Sequence, residues 1–275
     1  MKSIKLLSFI AFTLLINFSY AQKEEKVDEK TKHYFKNADF QNDNYHIFFN
    51  NIVSKFEYLK FGVKIINKTE DFLVWNSKGS KIVFDWGTKE PSKTKIHKIK
   101  PYGTGRSTFG VKGGTKMLVS SFKFQQSKLA RVSVNGKVAE VEDFKLPENR
   151  NSITTKDFEI VLKKAKRKTD ETYAKFEIRY IGDKVAVVKP NKISVRVNED
   201  DEFANNYKKS QAYLLMPGEK MMITVKFNIP KRIVDMQFAD MFIQWNDALS
   251  ISKQVEITGV QSIIVLDENL TESKK

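Results

Sequence analysis

Gly103, Gly105, Gly110, Gly113 and Gly114 cluster around Arg106 and Lys112 in GTGRSTFGVKGG, the stretch whose composition comes nearest to a phosphate cradle. A P-loop requires G-x-x-x-x-G-K-[ST], because a lysine must follow the second glycine to reach the outer phosphates. Here Gly105 is followed five residues later by Gly110 and then by Val111. A dinucleotide loop requires G-x-G-x-x-G opening a helix, whereas Phe109 and Val111 continue the alternation of a strand. The corresponding stretch of the second half, LMPGEKMMITVKF from 214, turns at Pro217-Gly218 and likewise runs into alternating apolar residues. The glycines at 103–105 therefore mark a turn entering a strand, and no nucleotide or other cofactor is expected.

The remaining residue types that carry chemistry are few. His33, His46 and His97 are the only imidazoles, and none has a partner at i, i+4 or in an H-x-H pair, so no histidine metal site is expected. Glu199, Asp200, Asp201 and Glu202 form the one acidic run. Its hard oxygens would suit calcium, but the D-x-[DN]-x-[DN]-G spacing and its turn glycine are missing, and the run reads as a solvated loop. Adjacent loop carboxylates do not face one another across a cleft as glycosidase acids must, and no G-x-S-x-G elbow presents a serine. No catalytic residue is assigned, and the chain is expected not to be an enzyme. Lys163, Lys164, Lys166, Arg167 and Lys168 make the densest basic run, a candidate contact for a polyanion that also continues the strand FEIVL.

Strands must position these residues, because the dominant periodicity is two. FGVKII, KFEIRY and MMITVKF each place alternate apolar residues on one face, while only EFANNYKKSQAY (202–213) offers a short helical pattern. The halves also share an order. Phe61, Val63 and Ile65 are matched by Phe176, Ile178 and Tyr180 at a spacing of 115, Ile82 and Phe84 by Val195 and Val197 at 113, and Phe109 and Val111 by Ile223 and Val225 at 114. NYHIFFNNIVSKF from 44 is matched to DFEIVLKKAKRKT from 157, with consecutive Phe48 and Phe49 expected to serve the core and a contact between modules. The predicted organisation is an all-β chain of two tandem immunoglobulin-like sandwiches, at 33–145 and 156–266, joined by a linker at 146–155. A single closed barrel is the structural rival.

Outside this body, MKSIKLLSFIAFTLLINFSYAQ has the cationic start, short apolar run and small residues of a secretory signal, with cleavage expected after Ala21. Residues 22–32 read as a charged, disordered leader and 267–275 as a disordered tail. The expected location is periplasmic or extracellular. With no cysteine, disulfides, lipid attachment at an N-terminal Cys and thiol chemistry are excluded. The formal charge is +15, falling by two to +13 once Lys2 and Lys5 are removed, and only seven of the 48 basic residues are Arg. Lysine lacks the planar fork used on bases and phosphates, so an anionic glycan or envelope surface, or a protein, suits this chain better than nucleic acid.

The strand rhythm resembles that of tandem immunoglobulin-like proteins of the bacterial envelope, which implies a non-catalytic role exercised through loops and strand edges. INKTEDFLVW from 66 and KLPENR from 145 are similar to segments of the first domain of periplasmic pilus-type chaperones. That resemblance implies capture of a partner's strand. A glycan-binding accessory module is the other expectation, and it requires aromatics exposed on one face.

Overall fold

The computed structural model describes residues 31–112, 117–147, 150–198, 201–208 and 211–274. The expected signal segment and most of the leader lie outside them. Alternation of apolar and polar residues builds one sheet from β1 (His33–Tyr34) and β2 (Ala38–Gln41), both paired to β3 (Tyr45–Lys55), followed by β4 (Tyr58–Asn67) and β9 (Thr104–Lys112). The turn at Tyr102–Gly103 does lead into a strand, with Gly103 N–H bonding Lys100 O at 2.9 Å.

A second layer faces this sheet, and each of its strand positions is split by a short break. One half is β8 (Ile96–Ile99), β5 (Phe72–Asn76), β11 (Leu129–Val132) and β24 (Gln254–Ile257); the other is β7 (Gly87–Lys89), β6 (Lys81–Phe84), β10 (Ser121–Gln125) and β25 (Gln261–Val265). Between the layers lies a core that includes Phe49, Phe61, Trp75, Phe109 and Phe124.

The second unit repeats the plan. Its outer sheet runs β14 (Ser152–Thr154), β15 (Phe158–Arg167), β16 (Glu171–Tyr180), β21 (Lys220–Asn228). Facing it are β12 (Lys137–Val138), β23 (Leu249–Ser252), β17 (Val185–Val188) and β20 (Tyr213–Leu215), then β13 (Phe144–Leu146), β22 (Met241–Gln244), β18 (Ser194–Val197) and β19 (Asp201–Ala204). Phe158, Phe176, Tyr180 and Trp245 fill this core. Among the described residues all pairing is antiparallel, and no sheet closes into a barrel.

The pairing register reproduces most of the sequence matches. Phe61 pairs with Phe109 as Phe176 pairs with Ile223, and Val63 with Ser107 as Ile178 with Met221. One match shifts by two residues: Ile47 opposes Ile65 as Phe158 opposes Tyr180, so Ile47 and not Tyr45 is the counterpart of Phe158. The β3–β4 and β15–β16 hairpins each stay within one sheet. After each hairpin the chain crosses to the facing layer, from β4 to β5 and from β16 to β17, as an immunoglobulin sandwich crosses from strand B to strand C.

The expected domain boundaries change at both junctions. Residues 137–146, expected to close the first unit, pair with β23 and β22 of the second. Residues 254–265, expected to close the second, pair with β11 and β10 of the first. Ser152–Thr154, expected in the linker, forms β14. Each half of the chain therefore gives its last strand to the other half. Alternation carries no information on which sheet a strand joins.

A seam fixes the two units. β5 buries Leu73 and Trp75 in the first core and turns Phe72 and Val74 outward, while β17 buries Ala186 and Val188 in the second core and turns Val185 and Val187 outward. These four outward residues pack with Val132 and Leu214. Burial on both faces explains why FLVWN and VAVV are nearly continuous apolar runs. Lys98 Nζ adds a bond to Leu214 O at 3.3 Å and an ion pair with Glu219, and Ser252 Oγ donates to Ser133 O at 2.7 Å.

Two further expectations differ. Where a helix was expected over 202–213, residues 202–204 belong to β19 and 205–208 are irregular, because the side chains of Asn205 and Asn206 accept from Lys226 N and Asn228 N and dress the edge of β21. The tail forms a short helix, α1 (Glu268–Ser273), capped by Asp267, whose carboxylate accepts from Leu270 N at 3.0 Å. Its buried Thr271 hydroxyl accepts from Tyr34 N at 3.0 Å, which ties the tail to β1.

Candidate functional site

On the outer face of the first sheet, Lys64 of β4 and Arg106 of β9 stand directly opposite one another. Like charges at opposed positions cost stability. In the second unit the same rung of the ladder carries Arg179 opposite Lys220, and there each cation has an acid. Glu159 lies 3.6 Å from Arg179, and Glu177 lies 3.2 Å from both Lys220 and Lys163. The hydrogen bonds from Lys220 and Lys163 hold the Glu177 carboxyl below the usual carboxylate range.

The register places Phe48 where the second unit has Glu159, since Phe48 pairs with Lys64 as Glu159 pairs with Arg179. It places Gly62 where the second unit has Glu177. Among the described residues, no carboxylate pairs with Lys64, Lys95 or Arg106.

Local backbone features shape this face into a groove. The β3–β4 register slips between Asn50 and Val53, with Asn51 held at φ 50°, and the bulge tips the chain at the sheet's middle. Gly62 lies beside it because a Cβ there would collide with Asn50 Oδ1. Two adjoining depressions result, of about 530 and 220 Å³, sharing Asn50 and Lys64. One reaches Lys95, Arg106, Ser107 and Thr108; the other reaches Asn37 and Asp39. Phe48 forms part of the floor, with the His46 ring 3.8 Å away between centroids and Lys64 Nζ 5.0 Å from its centroid. His46 Nε2 donates to Asp39 Oδ2 at 2.7 Å. Phe48 thus faces out of the first sheet beside these groups, while Phe49 is fully buried. The expected contact between modules is made by other residues at the seam.

The residues singled out in the sequence are arranged differently. Of the basic run, Lys163 pairs with Glu177 and Lys168 with Glu171 at 3.6 Å. Arg167 turns to the backbone, its Nε donating to Met236 O at 2.8 Å and its Nη2 to Ala239 O. Lys164 and Lys166 remain exposed on β15, opposite Lys175 and Tyr173. The run is therefore split between ion pairs, a structural clamp and two solvated lysines.

Of the acidic run, Glu199 and Asp200 lie outside the described residues. Asp201 accepts from Asn198 Nδ2 at 3.3 Å and Glu202 from Asn246 Nδ2 at 3.2 Å. As neighbours on β19 they point to opposite faces. Among the described residues, no group of three or more His, Cys, Asp or Glu side chains is placed to hold a metal.

His97 is 8 % exposed, stacked on Trp75 at 5.1 Å, and its Nε2 has no hydrogen-bond partner. Burial, with the Lys95 charge second, pushes it down to about 4.

Sequence reasoning passed over Lys64, and it weighed Arg106 only as part of a phosphate loop. The outward direction of Arg106 was readable from its alternation with Phe109, but the missing acids become visible only once the strands are paired.

No protein-family model matches the chain, and no curated protein matches it. Among solved structures it is similar to AerE from Microcystis aeruginosa at 10 % identity and a TM-score of 0.11, over 86 % of this chain and 99 % of that one. It is also similar to an oxalate decarboxylase studied for a structural element that modulates proton-coupled electron transfer, at 8 % identity and a TM-score of 0.14, over 91 % and 85 %. Likenesses this slight bear on neither fold nor function.

Proposed function

We propose that this chain is an exported, non-catalytic binding protein that meets an anionic partner on the outer face of its first sheet. The observation that carries the reading is the Lys64 and Arg106 pair, which stands without acids where the second unit balances the same pair with Glu159 and Glu177. An unbalanced cation pair costs the fold something, and an anion supplied from outside would offset it. The cationic start, apolar run and Ala21 site support export to the periplasm or beyond. The recurring offsets of 113 to 115 support descent of the two units from one duplicated all-strand segment.

The test is retention on a dextran sulfate column. The double variant Lys64→Gln, Arg106→Gln is expected to bind about tenfold more weakly at 0.1 M salt, while Lys164→Gln, Lys166→Gln, which removes the same charge, shifts retention only slightly. Equal losses in both variants would show that net charge alone is responsible.

A strand-accepting role is the second reading, favoured by the edge at β25, where Ile263 is 69 % and Val265 is 44 % exposed. Val265 O already accepts from Lys36 N at 3.0 Å, which closes one end of that edge. Co-purification of a subunit lost on Ile263→Lys would support this reading over the first.

A further inference from the structure

We propose that the groove across the first sheet binds an oligosaccharide in which an acidic sugar adjoins a neutral one, an inference that rests on the anionic-partner reading and specifies its ligand. The argument begins with direction. The groove crosses the strands from β2 over β3 and β4 to β9, a span of about 14 Å at the usual spacing between strands. That length suits a short chain of linked units better than a single small ion.

The two ends differ in charge. Lys64, Lys95 and Arg106 stand at the β9 end with Ser107 and Thr108. Asp39, hydrogen-bonded to His46, stands at the β2 end with Asn37. A polymer with a charge on every unit, such as a nucleic acid or a fully sulfated chain, would lay one of its anions against Asp39. A chain with one acid followed by a hydroxyl-rich neutral unit places the acid between Lys64 and Arg106 and offers hydroxyl donors to Asp39.

The middle of the groove fits the same ligand. Asn50 and Asn51 supply amides that both donate and accept, as sugar hydroxyls do. Phe48 gives the floor an apolar surface on which the C–H face of a sugar ring can rest. A lipid headgroup layer would be met better by a convex surface with protruding apolar side chains than by this concave polar one. The aromatic a glycan site needs is therefore present, and it comes from the first residue of the FFN stretch, Phe48.

Hyaluronan hexasaccharide, which alternates acidic and neutral sugars, is the probe, read by calorimetry or chemical-shift titration on the full mature chain. Oligogalacturonate of equal length carries an acid on every sugar, and chitohexaose carries none. The expected order of affinity is hyaluronan above oligogalacturonate, with chitohexaose at least tenfold below hyaluronan.

Arg106→Gln is expected to weaken hyaluronan about tenfold and Phe48→Ala about fivefold. Asp39→Asn is expected to strengthen oligogalacturonate about threefold. Circular dichroism and the melting temperature of each variant confirm folding. Failure of hyaluronan to bind, or an oligogalacturonate affinity unmoved by Asp39→Asn, would overturn the alternating-sugar assignment. If dextran sulfate retention still depends on Lys64 and Arg106 in that case, the anionic-partner reading stands alone. If it does not, both fall.

Discussion

Removing residues 254–275 should unfold the first unit rather than trim it. β24 and β25 complete its second layer, pairing with β11 and β10 over nine rungs. They bring Val260 and Ile264, 3 % and 1 % exposed, into the same core as Phe122 and Phe124. Each such side chain contributes roughly 1.5 to 3 kcal/mol on burial, before the lost ladder and the uncovered aromatics are counted. The whole loss would then be on the order of the 5 to 15 kcal/mol that holds a domain.

The second unit keeps its own outer strand, residues 137–146, and should persist. Amide exchange would show protection lost across β3, β4 and β9 and retained across β15 and β16. A synthetic peptide of residues 254–275 should restore protection to the first unit. Were the truncated chain to lose protection evenly in both units, or in neither, the exchange of strands would not be what holds the first unit together.

Acid should destabilise the protein before its carboxylates begin to protonate. Burial and the Lys95 charge put His97 at about 4, against 6.5 for the free side chain. Between those values the unfolded chain carries a proton that the folded chain refuses, so stability falls as pH drops from about 6.5 toward 4 and this contribution is constant below that. The cost is roughly 3 kcal/mol, or about 6 to 12 °C in melting temperature for a chain of this size.

The acids act lower. Glu171 and Glu177 are held below 4.5, chiefly by hydrogen bonds from Lys226 and Lys220 respectively, so their stabilisation is lost only as pH falls below that value. His97→Phe keeps the stack on Trp75, removes the unpartnered Nε2 and should abolish the slope between pH 6.5 and 4.5. An undiminished slope in that variant would place the acid sensitivity elsewhere.

Much of the fold was legible because period two reports which face of a strand is buried. Phe61 and Phe109, and Phe176 and Ile223, could be matched across the halves, and each pair proved to be cross-strand neighbours. Period two does not report which sheet a strand joins. Residues 144–146 and 261–265 alternate equally well in either unit, and only the seam between β5 and β17 brings each half's last strand within reach of the other half.

The site was less legible for a related reason. The densest basic run, 163–168, attracted attention as a sequence, yet folding brings Glu171 and Glu177 beside it. Lys64 and Arg106 are 42 residues apart in the chain, and nothing links them until β4 and β9 pair. What distinguishes them is a phenylalanine and a glycine at the two positions where acids stand in the other unit. Such an absence has no signature in a single strand.

The most direct test of a binding face on the first sheet is a residue-resolved titration of the amide and side-chain resonances with an anionic saccharide. Shifts should gather at 46–50, 62–64 and 104–108, leaving 159–179 and 220–226 unmoved although that sheet carries the same cation rung. Perturbations spread evenly over both outer sheets, or centred on 163–168, would contradict the account.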